Sequence, residues 1–235
     1  ASPVRMYQKL EKPGQKWHLH GYLALFGNVC LMAFYTVVTG WMFYYFIRFL
    51  TGQSASLSFG SMISDPTVNV IGLAVTVVIG FGVLCFNMQS GLERVTKWLM
   101  GSLFILLVGL AIRSFTLSGA AEGLRFYLLP DFTKINGNVI AAAMNQAFFT
   151  LSLGIGSMAI FGSYIGKERS LLGESVNIIA LDTFVALFAG LIIFPACFTY
   201  GEAVTAGPGL LFDTMASVFN HMEGGRIFGS LFFLF

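Results

Sequence analysis

One acidic side chain lies deep inside an apolar stretch of the sequence. Asp182 stands near the middle of residues 171–198. A charge at the centre of a bilayer costs at least about 2.5–3.5 kcal/mol on insertion scales. No Lys, Arg or His lies at a comparable depth in the other apolar stretches, which leaves a bound cation, a bound proton or a partner outside this sequence. A neutral, hydrogen-bonded Asp is the structural alternative, but an ionisable residue at this depth indicates a functional site.

Polar side chains and glycines are concentrated midway along another apolar stretch, residues 139–165. Within it, residues 145–157 read Asn-Gln-Ala-Phe-Phe-Thr-Leu-Ser-Leu-Gly-Ile-Gly-Ser. Two glycines this close weaken a helix, because each costs about 1 kcal/mol relative to Ala. Carbonyls of an unwound segment can hold Na⁺, and the helix N-terminus that follows can hold a carboxylate. Close helix packing through small residues explains the pattern equally well, so the spacing alone leaves both interpretations open.

The remaining polar residues are less specific. Tyr35 lies near the middle of the first apolar stretch, where a phenol needs a hydrogen-bond partner, either a ligand or a backbone carbonyl. The three histidines and three cysteines lack the spacing of a transition-metal site, a redox pair or a disulfide framework. No HExxH motif and no nucleophile with a base accompanies Asp182, so the sequence predicts a protein that is not an enzyme.

These residues belong to a chain that is too apolar for a soluble protein. Its 235 residues are 56% apolar and 10% charged, with a mean hydropathy of +0.79, whereas soluble domains carry about 25% charged residues. A net charge of +2 without a block of Lys and Arg argues against a nucleic-acid partner. The composition predicts a polytopic membrane protein surrounded by a lipid bilayer.

The apolar stretches predict the helices that must position the polar residues. A membrane-spanning helix needs about 20 mostly apolar residues. The predicted spans are 17–50, 68–88, 94–115, 139–165 and 171–198, and a sixth covers 227–235 at the end of the chain. Together they predict one transmembrane domain over residues 1–235. Because the chain starts without Met and stops inside an apolar run, we expect it to be an interior piece of a longer protein.

The basic residues predict the orientation. Short basic segments at 5–16, 94–97 and 167–169 mark the cytoplasmic side under the positive-inside rule. The chain start is therefore expected in the cytoplasm of a multi-pass protein of the plasma (inner) membrane, with loops 51–66, 116–138 and 199–226 outside. In the last of these, Gly207-Pro208-Gly209 precedes an apolar stretch. We expect a packed lid over residues 203–225, with a plain surface loop as the alternative.

Four motifs occur in the order in which one transporter family has them. They are Gly91-Leu92-Glu93-Arg94, Leu103-Phe104-Ile105-Leu106, the stretch 123–132 and, above all, the stretch 146–156. With these motifs the chain resembles the neurotransmitter:sodium symporter family, which has the leucine-transporter fold and carries amino acids and amines. The resemblance covers essentially the whole chain. It implies an all-α membrane protein, a bacterial-type member that spans helices 3–7 and the start of helix 8 of the fold.

The resemblance implies a substrate site on two helices. Tyr35 matches the tyrosine that hydrogen-bonds the substrate carboxylate region, and Phe149 matches the aromatic lid over the substrate. Ile155 stands where Phe is common, which leaves the substrate side chain open. The implied substrate-binding residues are Leu31, Tyr35, Phe149, Thr150, Ser152 and Ile155.

The resemblance also implies a Na⁺ site and a gate. Thr150 matches the residue that gives its hydroxyl and carbonyl to one Na⁺, and Asp182 matches a further ligand of that ion. Chloride-dependent animal members typically have Asn at this position, so Asp182 implies a transporter that does not require chloride. Ser163 and Tyr164 match the cytoplasmic gate. No organic cofactor is implied.

Together these features predict a sodium-coupled symporter that imports an amino acid or a related amine by alternating access. Helices 1 and 2 of the fold would precede Ala1 and most of helix 8 would follow Phe235. These absent parts would be partners that complete the substrate and Na⁺ sites. Two alternatives remain at this point: a proton-coupled transporter that uses Asp182 as proton carrier, and a regulatory homologue that does not transport.

Overall fold

The computed structural model of the protein describes residues 2–85, 93–166, 168–204 and 207–235. These residues form helices and connecting turns and, within those ranges, no β-strand. The predicted span end at Met88, the motif residues Gly91 and Leu92, the basic Lys167 and two residues of the predicted lid, 205 and 206, lie outside them. In chain order the α-helices are α1 (Pro3–Leu10), α2 (His18–Thr51), α3 (Phe59–Ile63), α4 (Pro66–Cys85), α5 (Glu93–Phe115), α6 (Ala120–Leu128), α7 (Gly137–Thr150), α8 (Ser157–Gly162), α9 (Leu171–Tyr200), α10 (Ala216–His221) and α11 (Gly225–Leu234).

Four helices of the described ranges are long and apolar enough to cross a membrane: α2, α4, α5 and α9. At about 1.5 Å per residue, even the 20 residues of α4 match the hydrocarbon thickness of about 30 Å. Few residues of these helices are buried against the rest of the chain, and α4 has none. Such apolar outer faces suit lipid or further helices and not water, so this is a membrane protein, as predicted.

Local sequence signals explain where these helices begin. Asp65 caps α4, since its carboxylate accepts hydrogen bonds from the amides of Thr67 and Val68 at 2.9 and 3.4 Å. Pro66 suits the first position of a helix, where no amide donor is required. Asn136 caps α7 through a 3.0 Å bond from the Val139 amide to its side chain.

The described chain forms two compact units. The first comprises Ala1–Phe34 and Asp131–Ala186, and the second comprises Tyr35–Pro130 and Leu187–Phe235. In the first unit, Nδ1 of His18 lies 3.0 Å from a carboxylate oxygen of Glu11, which closes the turn between α1 and α2. This hydrogen bond lowers the pKa of the Glu11 carboxyl.

The second unit has an aromatic core. Tyr45 and Phe49 of α2 pack with Phe212, Phe219 and Phe233, and all five side chains are buried. Ring centroids of Tyr45 and Phe212 lie 5.0 Å apart in an edge-to-face arrangement, a favourable geometry for aromatic pairs. The core therefore holds the chain after Gly209 against α2.

Residues 210–221, within the predicted lid, form a π-helical turn, Leu210–Met215, followed by α10. The Phe59 amide donates a 3.1 Å hydrogen bond to Asp213, and the Ser54 hydroxyl donates a 2.6 Å bond to Asn220. The apolar side of the segment is buried. A packed helix and not a plain loop occupies this stretch, while its place outside the membrane stays a prediction.

Two glycines set the distance between α2 and α4. A Cβ atom on Gly40 would lie 2.7 Å from the carbonyl carbon of Gly72, closer than real Cβ atoms approach. Small residues at such crossings let helix backbones approach within a membrane.

We expect Gly40→Leu to lower the thermal stability of the full-length protein in detergent. Overpacking a tight contact costs about 1–3 kcal/mol, and backbone atoms of α4 cannot rotate out of the way. The control is Gly80→Leu on α4, because a Cβ atom there meets no atom within 4 Å. Equal melting temperatures for the two variants would show that the α2–α4 contact does not contribute to stability.

Candidate substrate and sodium site

The predicted fourth span is interrupted in its middle. α7 ends at Thr150 and α8 begins at Ser157. Between them Ser152, Gly154 and Gly156 adopt positive φ angles of 52°, 83° and 77°. Left-handed residues cannot continue a right-handed helix, and glycine adopts this conformation without the penalty that a Cβ atom brings. The sequence leaves two interpretations open, an unwound segment and close packing of a continuous helix. The structure shows the unwound segment.

The backbone hydrogen bonds show how far the unwinding extends. The amides of Leu151, Ser152 and Leu153 still donate to carbonyls of α7, whereas the next helical bond runs from Ile160 to Gly156. Among the described residues, no backbone amide donates a hydrogen bond to the carbonyl oxygens of residues 151–154. An interrupted membrane helix of this kind offers backbone carbonyls and a new helix N-terminus as ligands.

Asp182 of α9 lies beside the end of α7. The Thr150 hydroxyl donates a 2.9 Å hydrogen bond to the Asp182 carboxylate. Asp182 is half-buried, and within the part of the chain that the structure describes it forms no ion pair. The structure thus brings together the two residues to which the family resemblance gives a Na⁺-binding role, and that role stays a prediction. A hard monovalent cation suits a carboxylate and a hydroxyl next to unwound carbonyls.

A cavity of about 230 Å³ lies within the first unit, next to the interruption. Its lining residues are mostly apolar, and Ser152 is the one with a polar side chain. Four of the six predicted substrate residues line it: Leu31, Phe149, Ser152 and Ile155. The other lining residues are Gly27, Phe148 and Leu153. A pocket with apolar walls and few polar groups is typical of a site for a small organic ligand.

Comparison with known proteins shows which family the chain belongs to. The model of the family described as the sodium:neurotransmitter symporter family matches residues 53–235. The chain belongs to this family. As a member of this family it has the fold class that the sequence predicts, an all-helical part of the leucine-transporter fold, and this prediction is confirmed.

Individual relatives agree with this assignment. An uncharacterized sodium-dependent transporter of Haemophilus influenzae is 36% identical over 92% of this chain and 50% of its own length. The uncharacterized sodium-dependent transporter YhdH of Bacillus subtilis is 35% identical over 96% of this chain and 51% of its own. The chain thus spans about half the length of the curated relatives it matches.

A solved structure gives the same result in three dimensions. The crystal structure of MhsT in complex with L-phenylalanine matches all of this chain and 55% of its own chain. The TM-score is 0.89 at 36% identity. Since the homologues are transporters, the prediction that the protein is not an enzyme is supported in general terms.

Three further predicted residues do not line this cavity. Tyr35 belongs to the second unit, is 45% exposed and accepts a 2.8 Å hydrogen bond from the Thr39 hydroxyl at its backbone carbonyl. Ser163 and Tyr164 follow the end of α8, where the Ser163 hydroxyl donates to the Ile160 carbonyl at 2.7 Å. The Tyr164 side chain is exposed. Their roles in substrate binding and gating stay predictions.

The structure adds three lining residues that the sequence interpretation missed. Gly27 lies one helical turn before Leu31, and an i, i+4 spacing places both on one face of α2. This spacing could have identified Gly27 once Leu31 was chosen. Phe148 and Leu153 flank chosen residues, and apolar side chains are common along this span, so their types carried no separate signal.

Proposed function

We propose that the protein is a sodium-coupled symporter that imports an apolar amino acid, with Na⁺ at Thr150 and Asp182. The observation that carries this proposal is the 2.9 Å pair of Thr150 and Asp182 at the end of an interrupted membrane helix. A lone carboxylate in a membrane protein is costly unless it is compensated. A bound Na⁺ compensates it, and the ion is carried together with the substrate.

The cavity is lined by residues on both sides of Thr150 in the sequence. Phe149 and Ser152 line it and flank Thr150, so a Na⁺ held by Thr150 stabilises the conformation of the same unwound segment. Binding of the ion and binding of the substrate are then coupled in both directions, as thermodynamic linkage requires. This coupling is what a symporter needs.

The lining favours an apolar side chain in the substrate. Leu31, Phe149 and Ile155 offer hydrocarbon surface, and the related MhsT was solved in complex with L-phenylalanine. Tyr35 is the proposed contact of the substrate carboxylate, and Ser163 and Tyr164 form the proposed cytoplasmic gate. Because Asp182 carries the negative charge itself, transport is proposed to be independent of chloride.

The test uses the full-length protein in proteoliposomes with labelled L-phenylalanine and L-leucine. We expect uptake with Na⁺ outside, no uptake with K⁺ or choline, and the same uptake when gluconate replaces chloride. Equal uptake in all three cations would contradict sodium coupling, and uptake that follows the pH gradient would indicate a proton-coupled transporter. Binding of both amino acids without uptake would indicate the regulatory homologue.

A further inference from the structure

We infer that Asn28 of α2 is a positioning residue that fixes the unwound segment and thereby sets the shape of the substrate cavity. Its carboxamide donates hydrogen bonds from Nδ2 to the backbone carbonyls of Ala24 and Ile155. Its Oδ1 accepts a 2.9 Å hydrogen bond from the Ser157 hydroxyl. This inference rests on the proposed function, since the cavity is taken as the substrate site.

The three hydrogen bonds of Asn28 connect α2 with the residues on either side of Gly156. The bond to Ala24 holds the amide against its own helix at 2.9 Å. The other two bonds reach Ile155, the last residue before Gly156, and Ser157, the first residue of α8. With a φ of 77°, Gly156 is the point where the chain turns into α8. Asn28 therefore bridges the interruption on both sides of this turn.

Such a bridge is needed because unwinding removes helical hydrogen bonds. The carbonyls at the end of α7 and the amides at the start of α8 have no helical partners, and a lipid environment offers no water to replace them. Without external bonds, the position of the interruption could shift along the sequence. Both amide protons of Asn28 and one oxygen lone pair are used, so no other uncharged side chain of the same size supplies the set.

The consequence for the substrate follows from Ile155. Its carbonyl is held by Asn28, while the residue lines the cavity together with Gly27 and Leu31. A Cβ atom added to Gly27 would lie 3.7 Å from Cγ2 of Ile155, so Ile155 lies close to this face of α2. A movement of Ile155 changes the space for a large substrate side chain. A methyl side chain fills little of the 230 Å³ and depends less on that wall.

The test is the Asn28→Asp variant of the full-length transporter, with sodium-dependent binding of L-phenylalanine and L-alanine measured in detergent. The isosteric carboxylate loses both donors and faces two carbonyl oxygens. We expect L-phenylalanine affinity to fall about tenfold or more and L-alanine affinity to change less than about threefold. A misfolded fraction would reduce the number of sites for both amino acids equally and leave this ratio unchanged.

Two further variants keep the result interpretable. Ser157→Ala removes only the hydrogen bond from the Ser157 hydroxyl to Oδ1 of Asn28. We expect the ratio of L-phenylalanine affinity to L-alanine affinity to fall about threefold. In the Asn28→Asp background the carboxylate still accepts from the Ser157 hydroxyl, so Ser157→Ala should change the ratio further there. The control Asn138→Asp makes the same substitution at an exposed position in the first turn of α7 and should leave both affinities unchanged.

The outcomes separate two failures. A wild-type protein that binds neither amino acid in Na⁺ overturns the proposed function and, with it, this role of Asn28. A wild-type protein that binds both, while Asn28→Asp and Ser157→Ala keep its affinity ratio, overturns the positioning role alone.

Discussion

Replacement of Asp182 by alanine should abolish sodium-dependent substrate binding. The substitution removes the carboxylate that accepts the 2.9 Å hydrogen bond from Thr150 and leaves that hydroxyl without its acceptor. The charge pair that is lost is the one between the Asp182 carboxylate and the proposed Na⁺. Loss of one partner of such a pair costs about 3 kcal/mol or more, which is about a hundredfold in Na⁺ affinity. Isothermal titration of the full-length protein with NaCl, in the presence of L-phenylalanine, measures this loss directly.

Two companion variants distinguish charge from geometry. Asp182→Asn keeps an acceptor for Thr150 and removes the charge, so we expect Na⁺ affinity between those of the wild type and the alanine variant. Glu174→Ala removes another acid of α9, which forms an exposed ion pair with Arg169 at 2.8 Å. Such surface pairs contribute little, so Na⁺ affinity should not change. Unchanged Na⁺ affinity in Asp182→Ala would show that Asp182 has a structural role only.

Filling the cavity should have an effect of similar size on the substrate. Gly27 and Ile155 both line the cavity, and a Cβ atom added to Gly27 would make an ordinary van der Waals contact with Ile155 at 3.7 Å. We expect Gly27→Leu to fold, because the larger side chain enters existing space, and to occupy the volume that the substrate requires. L-phenylalanine affinity should fall about a hundredfold, equivalent to about 2.7 kcal/mol.

The control for this variant is Gly101→Leu on α5. A Cβ atom on Gly101 meets no atom within 4 Å, so the same substitution leaves the cavity unchanged. Binding of L-phenylalanine is compared by scintillation proximity, with the melting temperature in Na⁺ as a check of folding. If Gly27→Leu bound L-phenylalanine as tightly as Gly101→Leu, the cavity would not be the substrate site.

Particular residues show why part of the site was accessible from the sequence. Asp182 stands out because the cost of a charge in lipid depends on its depth along its own helix and on no other element. Gly154 and Gly156 marked a weak point in a helix for a similarly local reason. Leu31, Phe149, Ser152 and Ile155 are individually ordinary residues of apolar stretches, and the resemblance to a family was needed to select them.

The role of Asn28, in contrast, could not be predicted from the sequence. An amide in an apolar span was a visible signal, but its partners Ile155 and Ser157 are more than 120 residues away in the chain. The first span is apolar on all sides, so no periodicity marks the face that points inward. Only the packing of α2 against the unwound segment reveals what Asn28 holds.

The sequence by itself determined that this is a helical membrane protein with one lone acid and one weak helix, and it indicated the family. These properties follow from the local cost of placing charge, glycine and backbone groups in lipid. Tertiary structure decided that the weak helix is unwound, that Thr150 meets Asp182 and that Gly27 and Leu31 share a cavity with Ile155. Those facts depend on which helix faces meet, and uniformly apolar helices do not encode their faces in a pattern that can be read along the chain.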